Sequence, residues 1–476
     1  MATRIQFEEW LPDQPSVTSL RDAKNVYPTS IGYAPFPSVE NFSGDATENL
    51  NTVFGGKYGD EVVIFAGGNS KLFKLNASTL ALADVSKSGG YSGTNKWQLT
   101  QFGKAIIAAN NQAKLQVWNI GTSSLFADLN ANAPVAKYVT VVRDFVVAAH
   151  LDAGTNPNKV IWSDINDETN WLSGTTSQSD YQLIPDGGNI TGLTGGEIGL
   201  IFLERSIVRM SYSGSPLFFQ FDTISRGLGC LEGNSIAQYG ATSFFLSDDG
   251  FYKCDGQTVT GIGTEKVDRY FFNDVKITDL DSMSASVDPI KKLVIWNYAN
   301  VDGGRSILIY NWQLNKWSRA TTTSTVLGSI STTGYTLEGL ESVLGYTNLE
   351  TIPASLDDRL WVGGKFLFAG AQDAKIVVFT GSNYDSELIT PDMEIGYNSV
   401  ATLVRPQIDN GSADIKVASR KELDDNIQFG SSVTTSQEGR ASVRSAGRYH
   451  RFSISPTGNW TNATSIDVDF KTQGNR

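Results

Sequence analysis

Two histidines, His150 and His450, are all that this chain offers to base-assisted serine or cysteine chemistry. An activated nucleophile needs a base beside it. Neither histidine lies near a recognisable nucleophile motif: His150 ends an apolar run, and His450 sits among arginines. Both read as structural. The carboxylates are the other candidates. Asp164-Ile165-Asn166-Asp167-Glu168 and Asp279-Leu280-Asp281 could flank a cleft as an acid and base pair of the kind that cleaves glycosidic bonds. Asp and Asn also build turns by bonding their own backbone, and the turn reading is the stronger one for these clusters.

Other motifs carry less. Ser247-Asp248-Asp249-Gly250 is similar to the Asp box of sialidases, but it is one spacer short and does not recur. Ser225-Arg226-Gly227-Leu228-Gly229 and Thr194-Gly195-Gly196 precede no G-K-[ST] and lie in no βαβ pattern, so they read as turns rather than phosphate cradles. No H-x-x-x-H, C-x-x-C or EF-hand spacing occurs, which argues against a standard zinc or calcium site. Cys230 and Cys254 make no disulfide framework and are expected as buried or semi-buried thiols in a reducing compartment. The expectation is a protein without catalytic residues or cofactor.

Charge narrows the partners. Lys and Arg number 38 against 50 Asp and Glu, a formal charge of −12. A protein that grips nucleic acid through phosphates is basic. This surface instead favours solubility, or the passage of DNA without adhesion. One basic cluster stands apart, Arg440, Arg444, Arg448 and Arg451, and it reads as an ion-pairing contact with a neighbouring subunit or as a solvated strand face. The opening MATRIQFEEWLPDQP lacks the apolar core of a signal peptide. No window reaches the ~18–20 apolar residues of a membrane span. Folding in a cytoplasm is expected.

The elements that would position these groups come from a recurring hairpin: an apolar strand, a Gly/Asn/Asp turn and a second apolar strand. The second strand opens at Leu72, Leu115, Val160, Ile207, Phe251 and Ile307, at spacings of 43, 45, 47, 44 and 56 residues. A period near 45 residues with several strands per unit indicates an all-β propeller, of about six blades with a seventh possible, over residues 46–320. Residues 321–355 are rich in Thr, Ser and Gly and break the rhythm; they read as an irregular connection. Val362–Phe379 resembles a further hairpin, its second strand opening at Ile376. It is either a last blade or the start of a C-terminal β domain, 356–476, and the second is favoured because strands continue beyond it without the period.

Residues 1–45 differ again. They hold Pro12, Pro15, Pro28, Pro35 and Pro37, which remove ladder donors and favour an extended arm over a central strand. Trp10, Tyr27, Tyr33 and Phe36 lie among the prolines and could anchor the arm on another surface.

The stretches WLPDQP…AKNVYPTSIGYAPFPS, Gly227–Gly256 and Gly447-Arg448-Tyr449 occur in this order along the chain. Together they resemble the tail nozzle (tail stabilisation or tail tubular) proteins of short-tailed bacteriophages. The resemblance implies a virion structural protein, assembled in the host cytoplasm and located in the tail. It implies a homo-hexameric ring below the head-to-tail adaptor, with peripheral propellers and a platform built from the two chain ends around the channel. Double-stranded DNA would pass transiently, a tail fibre or spike would dock on the side, and residues 321–355 would be the place to look for any gate in the channel. Assembly-interface candidates are then Trp10, Leu11, Pro12, Tyr33 and Phe36 of the arm, and Arg440, Arg444, Arg448, Tyr449 and Arg451. The alternative is a carbohydrate-binding or carbohydrate-cleaving propeller acting as a surface depolymerase.

Overall fold

A tight turn explains most of the inner hairpins. Tyr58 pairs with Glu61, Phe102 with Ala105, Val142 with Phe145 and Tyr239 with Thr242, so each loop has two residues. The first turn residue has positive φ: Gly59 +61°, Gly103 +56°, Arg143 +52° and Gly240 +59°. That backbone matches the right-handed twist of the strands it joins.

The computed structural model describes residues 2–93, 96–331, 348 and 366–472. Among the described residues, six discrete four-stranded antiparallel sheets are arranged as propeller blades. Blades 1 to 5 start at Leu50, Gln98, Ala136, Ile190 and Ala237. A further four-stranded meander, Ser284–Asp288, Leu293–Ala299, Arg305–Asn311 and Lys316–Thr321, stands next in the ring as blade 6. Its outer strand runs on into a second, larger sheet. Blade 7 comprises Val326–Ser331, Phe366–Gln372 and Lys375–Val378 and is completed by Glu40–Asn41 of the arm.

The last blade closes on the first. Val326–Ser331 lies beside Leu50–Tyr58. Their approach needs glycine: a Cβ on Gly328 would sit 2.9 Å from the Val53 carbonyl oxygen, and one on Gly55 3.0 Å from the Ile330 Cα.

Blade stacking accounts for the continuous apolar runs. In Ala105–Ala109, Ala105, Ile107 and Ala109 enter the core shared with blade 3, while Ile106 and Ala108 enter that shared with blade 1. Alternate side chains face opposite ways, so a strand covered on both sides is apolar at every position.

The second part is a platform of long strands. Met393–Asp409 and Ala441–Thr457 have 17 residues each. Asn462–Thr472, Ser412–Arg420 and the arm strand Ala2–Gln6 complete most of it, with Ala2 opposite Asp469 and Gln6 opposite Ser465. Asp22–Lys24 splices the two parts. It pairs in parallel with Lys316–Thr321 of blade 6 and antiparallel with Glu387–Ile389, which continues to Ala441–Thr457. One apolar core runs across the splice, from Phe251, Trp296 and Trp317 through Trp10 and Leu20 to Ile454, Phe452 and Trp460.

Two expectations need correction. The described part of Val362–Phe379 belongs to blade 7, not to the C-terminal domain. Ala369, Ala371 and Ile376 pack with Ile64 and Phe73 of blade 1, and Phe368 and Phe379 pack with Ile295 and Ile307 of blade 6. The arm does supply a central strand, Asp22–Lys24, and that stretch contains no proline. The proposed gate lies largely at 332–347 and 349–355, outside the described residues; within its near end, Val326–Ser331 is regular strand.

Candidate assembly interface

An extended arm has few backbone partners of its own, so its apolar groups must bury elsewhere. Here they bury in the same chain. Trp10 is fully buried and meets the Tyr270 ring edge-on at 5.1 Å. Leu11 and Pro12 are half-buried beside it. Asp13 then accepts the backbone N–H groups of Arg269 at 2.7 Å and Tyr270 at 2.8 Å, capping the helix Asp268–Asp274 from a distant part of the chain. Lys266 Nζ reaches Glu9 at 2.7 Å. The Tyr33 hydroxyl donates to the Glu8 carbonyl at 2.9 Å, and burial pushes its phenol far up. Phe36 sits between blades 6 and 7, 5.6 Å from Phe379. Trp10, Tyr33 and Phe36 are therefore anchors within the subunit, not exposed contacts between subunits.

The arginines divide differently. Arg451 and Arg420 both bond Asp392 Oδ2, at 2.5 and 2.8 Å, and all three are nearly buried. Arg448 bonds Glu394 at 2.8 Å through Nε and lies 5.1 Å over the Tyr449 ring. Arg440 pairs with Glu438. Arg444 is exposed on the strand face that also presents Ser442 and Ala446, and no ion pair engages it among the described residues. The sequence cluster thus holds one internal anchor, Arg451, and an outward row from Arg440 to Arg448.

Three of the five candidate carboxylates, Asp164, Asp167 and Asp279, are spent on local bonds. Asp164 accepts from the N–H groups of Ile165 and Gln178 at 2.9 Å and from Asn170 at 3.1 Å. Burial pushes its carboxyl up, but these donors outweigh it and hold the group below its ordinary value. Asp167 accepts the N–H and hydroxyl of Thr169. Asp279 pairs with Lys276 at 2.7 Å. His150 Nδ1 lies 3.0 Å from the Ile190 carbonyl oxygen. His450 is fully buried between Ser399 Oγ and Ser419 Oγ, each at 2.7 Å. Burial lowers both histidines from their ordinary value. Cys230 and Cys254 are free and buried, and burial pushes the Cys230 thiol up to about 12. Among the described residues no group of three His, Cys, Asp or Glu could hold a metal.

Lys96 escaped the sequence reading. It precedes the first strand of blade 2, yet its Nζ donates at 2.9 Å to the carbonyl of Met283, the residue before the first strand of blade 6. Burial lowers its ammonium to about 8; Glu232 opposes this and Arg305 adds to it. Nothing in N-K-W-Q announces a lysine that reaches Met283, because that partner lies 187 residues away.

No family model matches the chain, and no curated protein matches it. Among solved structures, a chain of the mitotic checkpoint complex aligns over 75% of this chain and 97% of its own, at 9% identity and a TM-score of 0.39. The Pan2 WD40 domain of Neurospora crassa aligns over 73% and 97%, at 7% identity and a TM-score of 0.39. The propeller assignment stands on the strand topology itself.

Proposed function

We propose that this chain is a structural subunit of a short-tailed phage virion. Six copies form a tail nozzle that continues the DNA-ejection channel below the adaptor ring, with a fibre or spike docked at its side. The observation that carries this reading is the splice. A propeller has no intrinsic need of a second sheet, yet blade 6 continues through Asp22–Lys24 into a platform that holds both Ala2–Gln6 and Asn462–Thr472. Such a joint suits a rigid spacer fixed to an assembly ring. Net negative charge supports it, since like charge lets DNA slide without sticking. The sequence resemblance adds the phage context. The local bonding of Asp164, Asp167 and Asp279 weighs against the carbohydrate-cleaving alternative.

The test is assembly. Mass photometry of the purified chain, alone and with its cognate adaptor ring, is expected to show six copies per adaptor, and negative-stain images a six-fold tube. A chain that stays monomeric with the adaptor present overturns the reading.

A further inference from the structure

Three guanidinium groups, Arg21, Arg420 and Arg451, converge on one carboxylate, Asp392. Arg420 and Arg451 bond it directly. Arg21 does not: its Nη1 is closed to solvent with no hydrogen-bond partner, and the Nε atoms of Arg420 and Arg451 are in the same position. Burial lowers the Arg21 pKa from its ordinary value; Arg451 and Arg420 push the same way, and Asp392 opposes them. The cluster carries two more positive charges than negative. Buried charge without a counter-charge is costly, so a fold that keeps it needs a use for it.

Arg21 and Asp392 line an open cavity of about 660 Å³ between the strand Ala2–Gln6, the arm loop before Asp22 and the start of Met393–Asp409. Other charges at its wall are engaged or outside: Arg4 pairs with Asp467, Glu394 with Arg448, and Glu8 is exposed at the rim. Besides Glu8, the rim carries aliphatic side chains: Val17 is 83% exposed and Leu423 58%, and both line the same cavity as Met393 and Pro391. Aliphatic side chains in water beside an unpaired cation match a peptide, since a free anion gains nothing from Val17 or Leu423.

We propose that this cavity receives an acidic segment of another protein chain. One carboxylate of the segment sits against Arg21, and a flanking aliphatic side chain lies between Val17 and Leu423. The inference deepens the assembly reading and rests on it for the presence of a docking chain.

The probes are a fluorescein-labelled Leu-Glu-Leu-Asp-Leu peptide and its Leu-Gln-Leu-Asn-Leu twin, measured by anisotropy on the full chain. Wild type is expected to prefer the acidic peptide at least tenfold. Arg21→Gln should erase that preference and raise the melting temperature of the free protein, because it removes an unpaired charge. Val17→Ser with Leu423→Ser should weaken both peptides several-fold and keep the preference. Equal binding of the two peptides, or a preference that survives Arg21→Gln, overturns the proposal, as does a lower melting temperature in that variant. Competition by inorganic phosphate with no effect of the rim substitutions would make this a free-anion site and overturn it too. A chain that binds the acidic peptide yet never assembles breaks the nozzle reading alone; one that assembles without the peptide preference breaks only this inference.

Discussion

Asp22→Leu tests the splice between propeller and platform. Asp22 accepts two bonds from Arg319, through Nε at 2.7 Å and Nη2 at 2.5 Å. Their side chains are 14% and 27% exposed. Burial opposes the Arg319 charge, yet the Asp22 hydrogen bonds and charge outweigh it and hold the guanidinium above its ordinary value. Removing one partner of a buried pair costs about 3–5 kcal/mol, because the other charge is left uncompensated. With Arg319 a quarter exposed, water recovers part of that, and about 2–3 kcal/mol is expected. Asp22→Leu with Arg319→Leu leaves no orphan charge and should return within about 1 kcal/mol of wild type. Urea unfolding of all four members of the cycle, followed by pulse proteolysis, measures this. A single substitution costing under about 0.5 kcal/mol would show that the pair does not pin the splice. A double variant as weak as the single would show that Asp22 acts by shape rather than charge.

Three further outcomes are expected. Trp10→Ala should cost about 3–5 kcal/mol in urea unfolding, as for other buried tryptophans, because it empties the seat against Tyr270. Asp13→Ala should cost about 1 kcal/mol by removing the cap on the helix Asp268–Asp274, and hydrogen exchange should rise at Arg269 and Tyr270. The melting temperature should respond to pH in two opposed ways. His150 and His450 have lowered values when folded, so the unfolded chain binds more protons below about 6.5, and their contribution is lost as pH falls through that point. Burial raises Asp268 to about 7, so its contribution grows as pH falls from 7 toward 4. Asp268→Asn should therefore steepen the loss of stability between pH 7.5 and 5.5, and an unchanged slope would refute the assignment.

The blade hairpins were legible because their strands are covered on both faces, which leaves apolar runs that a single chain shows plainly. The platform strands were legible for the same reason in part: Asp414–Ala418 and Ser465–Phe470 alternate or run apolar and lie inside Ser412–Arg420 and Asn462–Thr472. Blade 7 was misplaced because its strands are not contiguous. The interval from Ile307 to Ile376 is 69 residues, and its closing strand, Glu40–Asn41, comes from the far end of the chain. A period counted along the sequence cannot see a strand borrowed from elsewhere. The arm aromatics bury within their own subunit: Trp10 against Tyr270, Phe36 between blades 6 and 7, and Tyr33 beside Ala463 of the platform. Arg21 and Lys96 had no local signal at all. Each takes its character from residues near 392, 420 and 451, or 283, and those meetings exist only in the folded chain.

The route of the arm limits what can be learned by cutting it. Ala2–Gln6 edges the platform, Trp10 and Asp13 hold the helix before blade 6, Asp22–Lys24 joins the two sheets, and Glu40–Asn41 completes blade 7. Removal of residues 1–40 therefore strips a strand from the platform, opens a core that contains Trp10 and Leu20, and takes Glu40 from the closure of the ring. Bridging the ends of a propeller with a distant strand ties ring closure to platform folding, so neither part is finished without the arm. Loss of assembly after such a deletion would report unfolding as readily as a lost contact. Only side chains that the subunit itself leaves unsatisfied or exposed can separate the two. Arg21 and Arg444 meet that condition, whereas Trp10, Tyr33, Phe36 and Arg451 do not.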